Sequence, residues 1–218
     1  MQVPESEAML EALLAGVTDQ ISHQAQKRIL EFYKWVCKEN ELQNLTRLIS
    51  GRDFFEGHVC DVLAFHSLQA LQTIEFPALD LGSGVGVPGA LSAIIRPEKW
   101  VLIDSEWRKA DYLKRTVEAM GLNSHVQVES GRVEDYLKRK DAAEIRTVVA
   151  RAVGSVEKIY AWIRKCSTWN KLVLFKGPGW NDEWKAFQAG KFNGELKLDS
   201  EKSYEVGEKS RRIVILSR

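Results

Sequence analysis

The stretch ALDLGSGVGVPGAL, residues 78–91, constrains this chain more than any other. Ala78–Leu81 is apolar and reads as a buried strand, and a helical pattern starts at Gly89. Between them Gly82, Gly84 and Gly86 fall at alternate positions, and Gly84 through Gly89 spells G-x-G-x-x-G. Glycine is needed where the backbone takes a positive φ or approaches a ligand too closely for a Cβ. Pro88 suits the first turn of a helix, where its missing N–H costs little. Asp104 closes the next apolar run, about twenty residues on, where an acid can accept hydrogen bonds from ribose hydroxyls. A tight turn with no ligand has the same outline. The strand before, the helix after and the strand-ending acid favour a nucleoside-containing cofactor. The G-K-[ST] of a P-loop is missing, which argues against that class of NTPase.

Residues 1–74 read as a helical N-terminal region. Ser22–Asn40 carries Ile29, Phe32, Tyr33 and Val36 at helical spacing, and Asp53–Leu71 repeats the pattern with Phe55, Val59, Val62, Phe65 and Leu68. Over 75–218 short apolar runs alternate with helical segments. Strands are expected at Ala78–Leu81, Trp100–Ile103, Val126–Glu129, Thr147–Ala150 and Lys171–Phe175, each buried on both faces. Helices are expected at Gly89–Ile95, Arg108–Met120, Val133–Arg139 and Val156–Lys165. Such alternation specifies an α/β fold, a Rossmann-like, mostly parallel sheet with right-handed crossovers. Gly194–Leu198 and Arg212–Leu216 have no convincing helix between them and read as an antiparallel pair at the sheet edge.

Two chemistries use such a turn. A dinucleotide enzyme normally spends two mononucleotide-binding halves on its cofactor and keeps its sheet parallel to the edge. Here the α/β region is short, its end reads as antiparallel, and no second substrate domain follows. S-adenosyl-L-methionine, with one nucleoside and one amino acid, fits better. An NAD(P)-dependent oxidoreductase and a non-catalytic nucleotide- or RNA-binding module stand as the alternatives. No apolar run approaches the ~20 residues of a membrane span. The acidic start MQVPESEAMLEALLAG lacks the features of a signal peptide, and Cys37, Cys60 and Cys166 are scattered. A cytoplasmic protein with neither membrane nor metal partner is expected. The net charge of +1 leaves room only for a local basic patch.

The chain resembles the RsmG (glucose-inhibited division protein B) family of bacterial ribosomal RNA methyltransferases. The resemblance rests on NLT at Asn44–Thr46, H-x-x-D at His58 and Asp61, and D-x-G-S-G-x-G-x-P-G from Asp80 to Gly89. It continues with RPE at Arg96–Glu98, DS at Asp104–Ser105, RVE at Arg132–Glu134, RA at Arg151–Ala152 and KG at Lys176–Gly177. It implies a class I S-adenosylmethionine-dependent methyltransferase sheet with an antiparallel last strand, preceded by a helical extension. It also implies methylation of a guanine N7 in 16S ribosomal RNA, near the decoding site, with 16S RNA or a small-subunit precursor as partner; separately, a monomer is expected. The cofactor contacts it implies are Gly82, Val87, Val133, Glu134 and Arg151; Gly84, Gly86 and Asp104 join them from the turn and ribose arguments. The chain departs from the family pattern at Trp107, at the extra Gly131 and at Val62.

Guanine N7 is a lone-pair nucleophile with no proton to lose, so its methylation needs positioning rather than a base. The residues agree. Ala150-Arg151-Ala152-Val153 stands where amino-group methyltransferases carry [DN]PP[FY]. Cys166, inside an apparent amphipathic helix, reads as core. Arg151 and Lys176 are the catalytic candidates, two cations expected on the rim where strands four and five end. Arg151 could hold a cofactor carboxylate or a phosphate, or donate to guanine O6. His58 and Asp61 share a helix face, as an interface bond or an active-site wall. Clusters at Arg108, Lys109, Lys114 and Arg115, at Lys138–Lys140 and at Arg211–Arg212, on one side of the sheet, could meet RNA phosphates. Trp180 and Trp184 read as packing first and base-stacking second.

Overall fold

The computed structural model describes residues 3–67 and 74–218. Two helices open the chain, α1 (Val3–Ala15) and α2 (His23–Asn40). The Ser22 side chain starts α2 by accepting the Ala25 N–H at 3.2 Å. The single helix expected over Asp53–Leu71 is divided. It runs as α3 (Gly51–Phe54), a π-helical turn (Phe55–Val59) and α4 (Cys60–His66). Leu68 and Leu71 lie outside the described residues. The wider turn is centred on Gly57, a weak helix former, and it leaves main-chain carbonyls for other donors.

The seven-stranded sheet has the order β3-β2-β1-β4-β5-β7-β6. Its strands are β1 (Ala78–Leu81), β2 (Trp100–Asp104), β3 (Val126–Ser130), β4 (Thr147–Arg151), β5 (Lys171–Lys176), β6 (Lys197–Val206) and β7 (Lys209–Ser217). The first five are parallel; β7 runs antiparallel to β5, and β6 antiparallel to β7. Strands two to five each extend one residue further than expected. Pairing draws in Asp104, Arg151 and Lys176, opposite Ser130, Phe175 and Arg212, although each is polar. All three therefore stand at carboxyl ends of parallel strands, where open α/β sheets bind ligands.

Burial on both faces fails for β3, which lies at the sheet edge and buries only Val126. The terminal pair is a longer hairpin than expected, because β6 is largely exposed and its polar sequence carries no burial signal. Helices α5 (Gly89–Ile95), α6 (Trp107–Ala119), α7 (Val133–Tyr136) and α8 (Val156–Ile163) connect the parallel strands. An unforeseen α9 (Trp180–Ala189) precedes the hairpin. Cys166 lies beyond the end of α8, not inside a helix, and packs half-buried against the core.

Each face of the sheet has its own core. On one, Leu10, Ile29, Phe32 and Phe54 from the N-terminal helices mingle with Leu91, Leu102 and Leu113. On the other, Tyr136, Ile159, Trp180 and Phe187 cover Leu79, Val148 and Leu172. Trp180 is buried, stacks on Trp184 at 5.5 Å and donates its indole N–H to Glu201, so this pair packs the core. The basic clusters do not share one side of the sheet. The α6 cluster follows the first core and the Lys138–Lys140 cluster follows α7 and the second.

Candidate cofactor and substrate site

The glycine turn is fixed from below and open above. The N–H groups of Gly82 and Ser83 donate to the Ile103 carbonyl at 2.8 and 3.1 Å. The Gly84 N–H donates to Asp104 Oδ2 at 2.9 Å, while Asp104 Oδ1 accepts from the Glu106 N–H at 2.9 Å. Asp104 thus bridges turn and helix α6. A carboxylate offers about four lone-pair sites, so two remain for ligand hydroxyls. Gly84 and Gly86 serve different ends. Both have positive φ, +55° and +93°, but a Cβ on Gly84 would meet only the Gly82 carbonyl oxygen, at 3.8 Å. A Cβ on Gly86 would press on Ala90, Leu113 and Phe32 at 3.1 to 3.2 Å. Gly84 leaves space above the turn; Gly86 lets the N-terminal helix α2 close against it.

Beside the turn is a small cleft of about 80 Å³, lined by Gly82, Val133, Glu134 and Ser105 together with Val153 and Trp162. It combines apolar walls with few polar groups, as small-molecule sites do. Gly82, Val133 and Glu134 were expected here. Val153 and Trp162 were not, since they come from a loop and an amphipathic helix with no motif. Val87 is buried in the first core, its N–H donates to the Ser83 carbonyl at 3.3 Å, and it does not line the cleft. Beneath the turn, buried Asp80 accepts the Gly89 N–H at 2.9 Å, and its other oxygen has no partner. Burial pushes its carboxyl up to about 7.

At the end of β4, Arg151 is tightly engaged. Its Nη1 donates to the Gly57 carbonyl at 2.6 Å and to Asp61 Oδ2 at 3.0 Å, and Nη2 donates to His58 Nδ1 at 2.8 Å. A guanidinium only donates, so Nδ1 accepts and the imidazole proton sits on Nε2. Burial, then the neighbouring guanidinium, pushes His58 down to about 3, which keeps it neutral. Asp61 Oδ1 also accepts from Tyr204 Oη at 2.7 Å and Arg211 Nη1 at 2.6 Å. Arg211 reaches the Glu56 carbonyl at 3.3 Å. The π-helical turn thus supplies two carbonyls to two arginines. Tyr204 and Arg211 carry no sequence signal for this role; only the fold of the hairpin brings them in.

Lys176 points elsewhere. Its Nζ donates to Glu183 Oε1 at 2.7 Å and to the Gly154 carbonyl at 2.9 Å, clamping the β4–α8 loop to α9. Several expected RNA-facing cations are also paired: Lys109 with Glu106, Arg115 with Glu39 and Asp111, Lys138 with Asp135, and Arg212 with Glu201. Arg108, Lys114 and Lys140 have no ion pair among the described residues.

The family model described as GidB, rRNA small subunit methyltransferase G, matches residues 25–214. The ribosomal RNA small subunit methyltransferase G of Mycoplasma capricolum subsp. capricolum is 30% identical over 160 residues, 72% of this chain and 67% of that one. Its namesake from Rhodopirellula baltica is 38% identical over 155 residues, 70% of this chain and 64% of that one. These matches span about two thirds of the relatives' own length. The solved structure of M. capricolum TrmK in complex with S-adenosyl-homocysteine overlays with a TM-score of 0.51 at 12% identity. It covers 64% of this chain and 61% of that one, a likeness that shows the class I, Rossmann-like fold alone. With the family model matched across most of its length, this chain belongs to the GidB family, rRNA small subunit methyltransferase G.

Proposed function

We propose that the chain transfers a methyl group from S-adenosylmethionine to N7 of a guanine in 16S ribosomal RNA near the decoding site. It acts as a monomer in the cytoplasm, on 16S RNA or a small-subunit precursor. The observation that carries the cofactor part is the corner between Gly84 and Asp104, an open positive-φ backbone facing an acid, beside a mostly apolar cleft. When bound, S-adenosylmethionine supplies an electrophilic methyl group on a sulfonium. Asp104 would accept from ribose hydroxyls, and Gly82, Val133 and Glu134 would wall the base.

Support for N7 comes from the ionisable groups around the site. His58 accepts from Arg151 and is held neutral, Asp61 is occupied by three donors, and Asp80 is buried under the turn. None of these three is poised to remove a proton, and N7 has none to give. The task left to the protein is orientation, worth up to ~7–11 kcal/mol. The rigid cluster around Arg151 serves it by fixing a cation at the end of β4.

The test is transfer of labelled methyl groups to deproteinised 16S RNA and to assembled small subunits, with mapping of the modified base, beside calorimetry with S-adenosylhomocysteine and with NAD. Label on guanine N7, with affinity for S-adenosylhomocysteine alone, supports the reading. Label on another atom removes the N7 assignment; binding of NAD alone restores the oxidoreductase.

A further inference from the structure

Three large apolar side chains stand exposed among the described residues: Leu42, Ile49 and Trp107. Trp107 is the largest, 67% exposed, and it opens α6 three residues after Asp104 and two after Ser105 of the cofactor cleft. Leu42, just past the end of α2, shares a shallow depression with it. Gln43 fixes this juxtaposition by donating to the Arg108 carbonyl at 3.2 Å.

The charges there are unequally engaged. Arg115 takes both carboxylates of the depression, Glu39 at 2.9 Å and Asp111 at 3.0 Å. Glu106, next to Trp107, is held by Lys109 at 2.7 Å. Arg108 is exposed and has no ion pair among the described residues. Two arginines face two carboxylates in this lining, and because Arg115 serves both acids, Arg108 is the guanidinium beside the indole that is left without a carboxylate. Only Leu42 and Trp107 are apolar in this lining, too little for the buried centre of a protein interface. A flat exposed indole beside an unpaired guanidinium suits a base and its phosphate.

We infer that Trp107 is a stacking platform for an unpaired base of the RNA substrate flanking the target guanine, with Arg108 on the adjoining phosphate. This rests on the methyltransferase reading above. The depression lies past the carboxyl end of β2, next in the chain to Asp104 and to Ser105 of the cleft.

The experiment compares Trp107→Ala, Trp107→Phe and Arg108→Ala with the unaltered chain on deproteinised 16S RNA and on assembled small subunits. Trp107→Ala should raise the KM for RNA roughly 5- to 150-fold, with S-adenosylhomocysteine affinity unchanged. Trp107→Phe should recover most of that loss. Arg108→Ala should lower the salt slope of RNA binding by about one. An unchanged KM for Trp107→Ala on both substrates overturns the inference. So does a parallel fall in S-adenosylhomocysteine affinity, which would put the indole in the cofactor site. A loss confined to assembled particles would assign the patch to a ribosomal protein instead. Quenching of tryptophan fluorescence by 16S RNA, lost in Trp107→Ala, reads the surface without methyl transfer. It separates failure of this inference from failure of the methyltransferase reading.

Discussion

The glycine turn and the Asp61 cluster stand at the ends of neighbouring strands, β1 and β4, and are built in opposite ways. The turn is local: residues 80–89 and one acid, joined mostly through main-chain N–H groups. The cluster gathers side chains from α4, β4, β6 and β7, with two carbonyls of the π-helical turn. A local turn keeps its shape if one contact goes. A collective cluster around one buried carboxylate fails together, because each arginine depends on the same acid.

The sharpest way to break this comparison is Asp61→Ala. It leaves two guanidiniums facing each other without their shared anion. Stripping one partner from a buried pair costs ~3–5 kcal/mol. The lower end is expected here, because Arg151 and Arg211 keep 17% and 23% exposure. Urea denaturation measures it, and stability within ~0.5 kcal/mol of the unaltered chain would show that the cluster does not hold the fold. Next is Arg151→Ala. Asp61 then retains Tyr204 and Arg211, so stability should fall less. Methyl transfer should drop roughly 30- to 1000-fold, as for one charge-assisted contact at the reacting centre. A rate that falls only with the folded fraction would make Arg151 a strut.

Within the turn, Gly84→Ala and Gly86→Ala should differ. Both pay the ~1–2 kcal/mol of a left-handed non-glycine residue. Gly86→Ala adds overpacking of ~1–3 kcal/mol against Phe32 and Leu113. Gly84→Ala should instead lose S-adenosylhomocysteine affinity in calorimetry. Equal melting shifts with equal affinities would show that the two glycines serve one purpose.

The last contrast is read from pH. Burial holds folded His58 at about 3 and His66 at about 4, against 6.5 for the free side chain. Below that value the unfolded chain takes up protons that the folded chain refuses. Stability therefore falls as pH drops from 6.5 toward 4, by up to ~1.4 kcal/mol per unit per histidine. Asp80 acts in reverse. Its carboxyl, raised from 3.8 to about 7, keeps a proton that the unfolded chain releases, so its contribution is lost as pH rises through that window. Asp80→Asn should make stability climb more steeply from pH 4 to 7. Superposed curves would mean that Asp80 is ionised when folded.

The legible parts of this protein share a cause. Ala78–Leu81 and Gly89–Ile95 match their expected bounds because an apolar run, glycines and Pro97 mark both ends locally. The π-helical turn escaped, since one extra residue per turn barely disturbs a helical apolar pattern. The hairpin was read too short because β6 faces water and needs no apolar alternation. Of the site, Gly82, Val133 and Glu134 meet at the cleft as their motifs suggest, and Asp104 closes on Gly84. Trp162 and Tyr204 stayed hidden because nothing near them in the chain marks their use, and Arg211, expected to face RNA phosphates, turns to Asp61 instead.

The sequence by itself determined the alternation of strand and helix, the ligand-ready turn after β1 and the family, because these depend on residues close together or in fixed order. Only the tertiary structure decided where the cations point. Arg151 and Lys176 both end parallel strands, yet Arg151 turns to Asp61 and Lys176 to Glu183. A long side chain follows the nearest carboxylate. Which carboxylate is nearest depends on how α4, α9 and the final hairpin pack, set by burial and shape across the whole chain rather than by any local pattern.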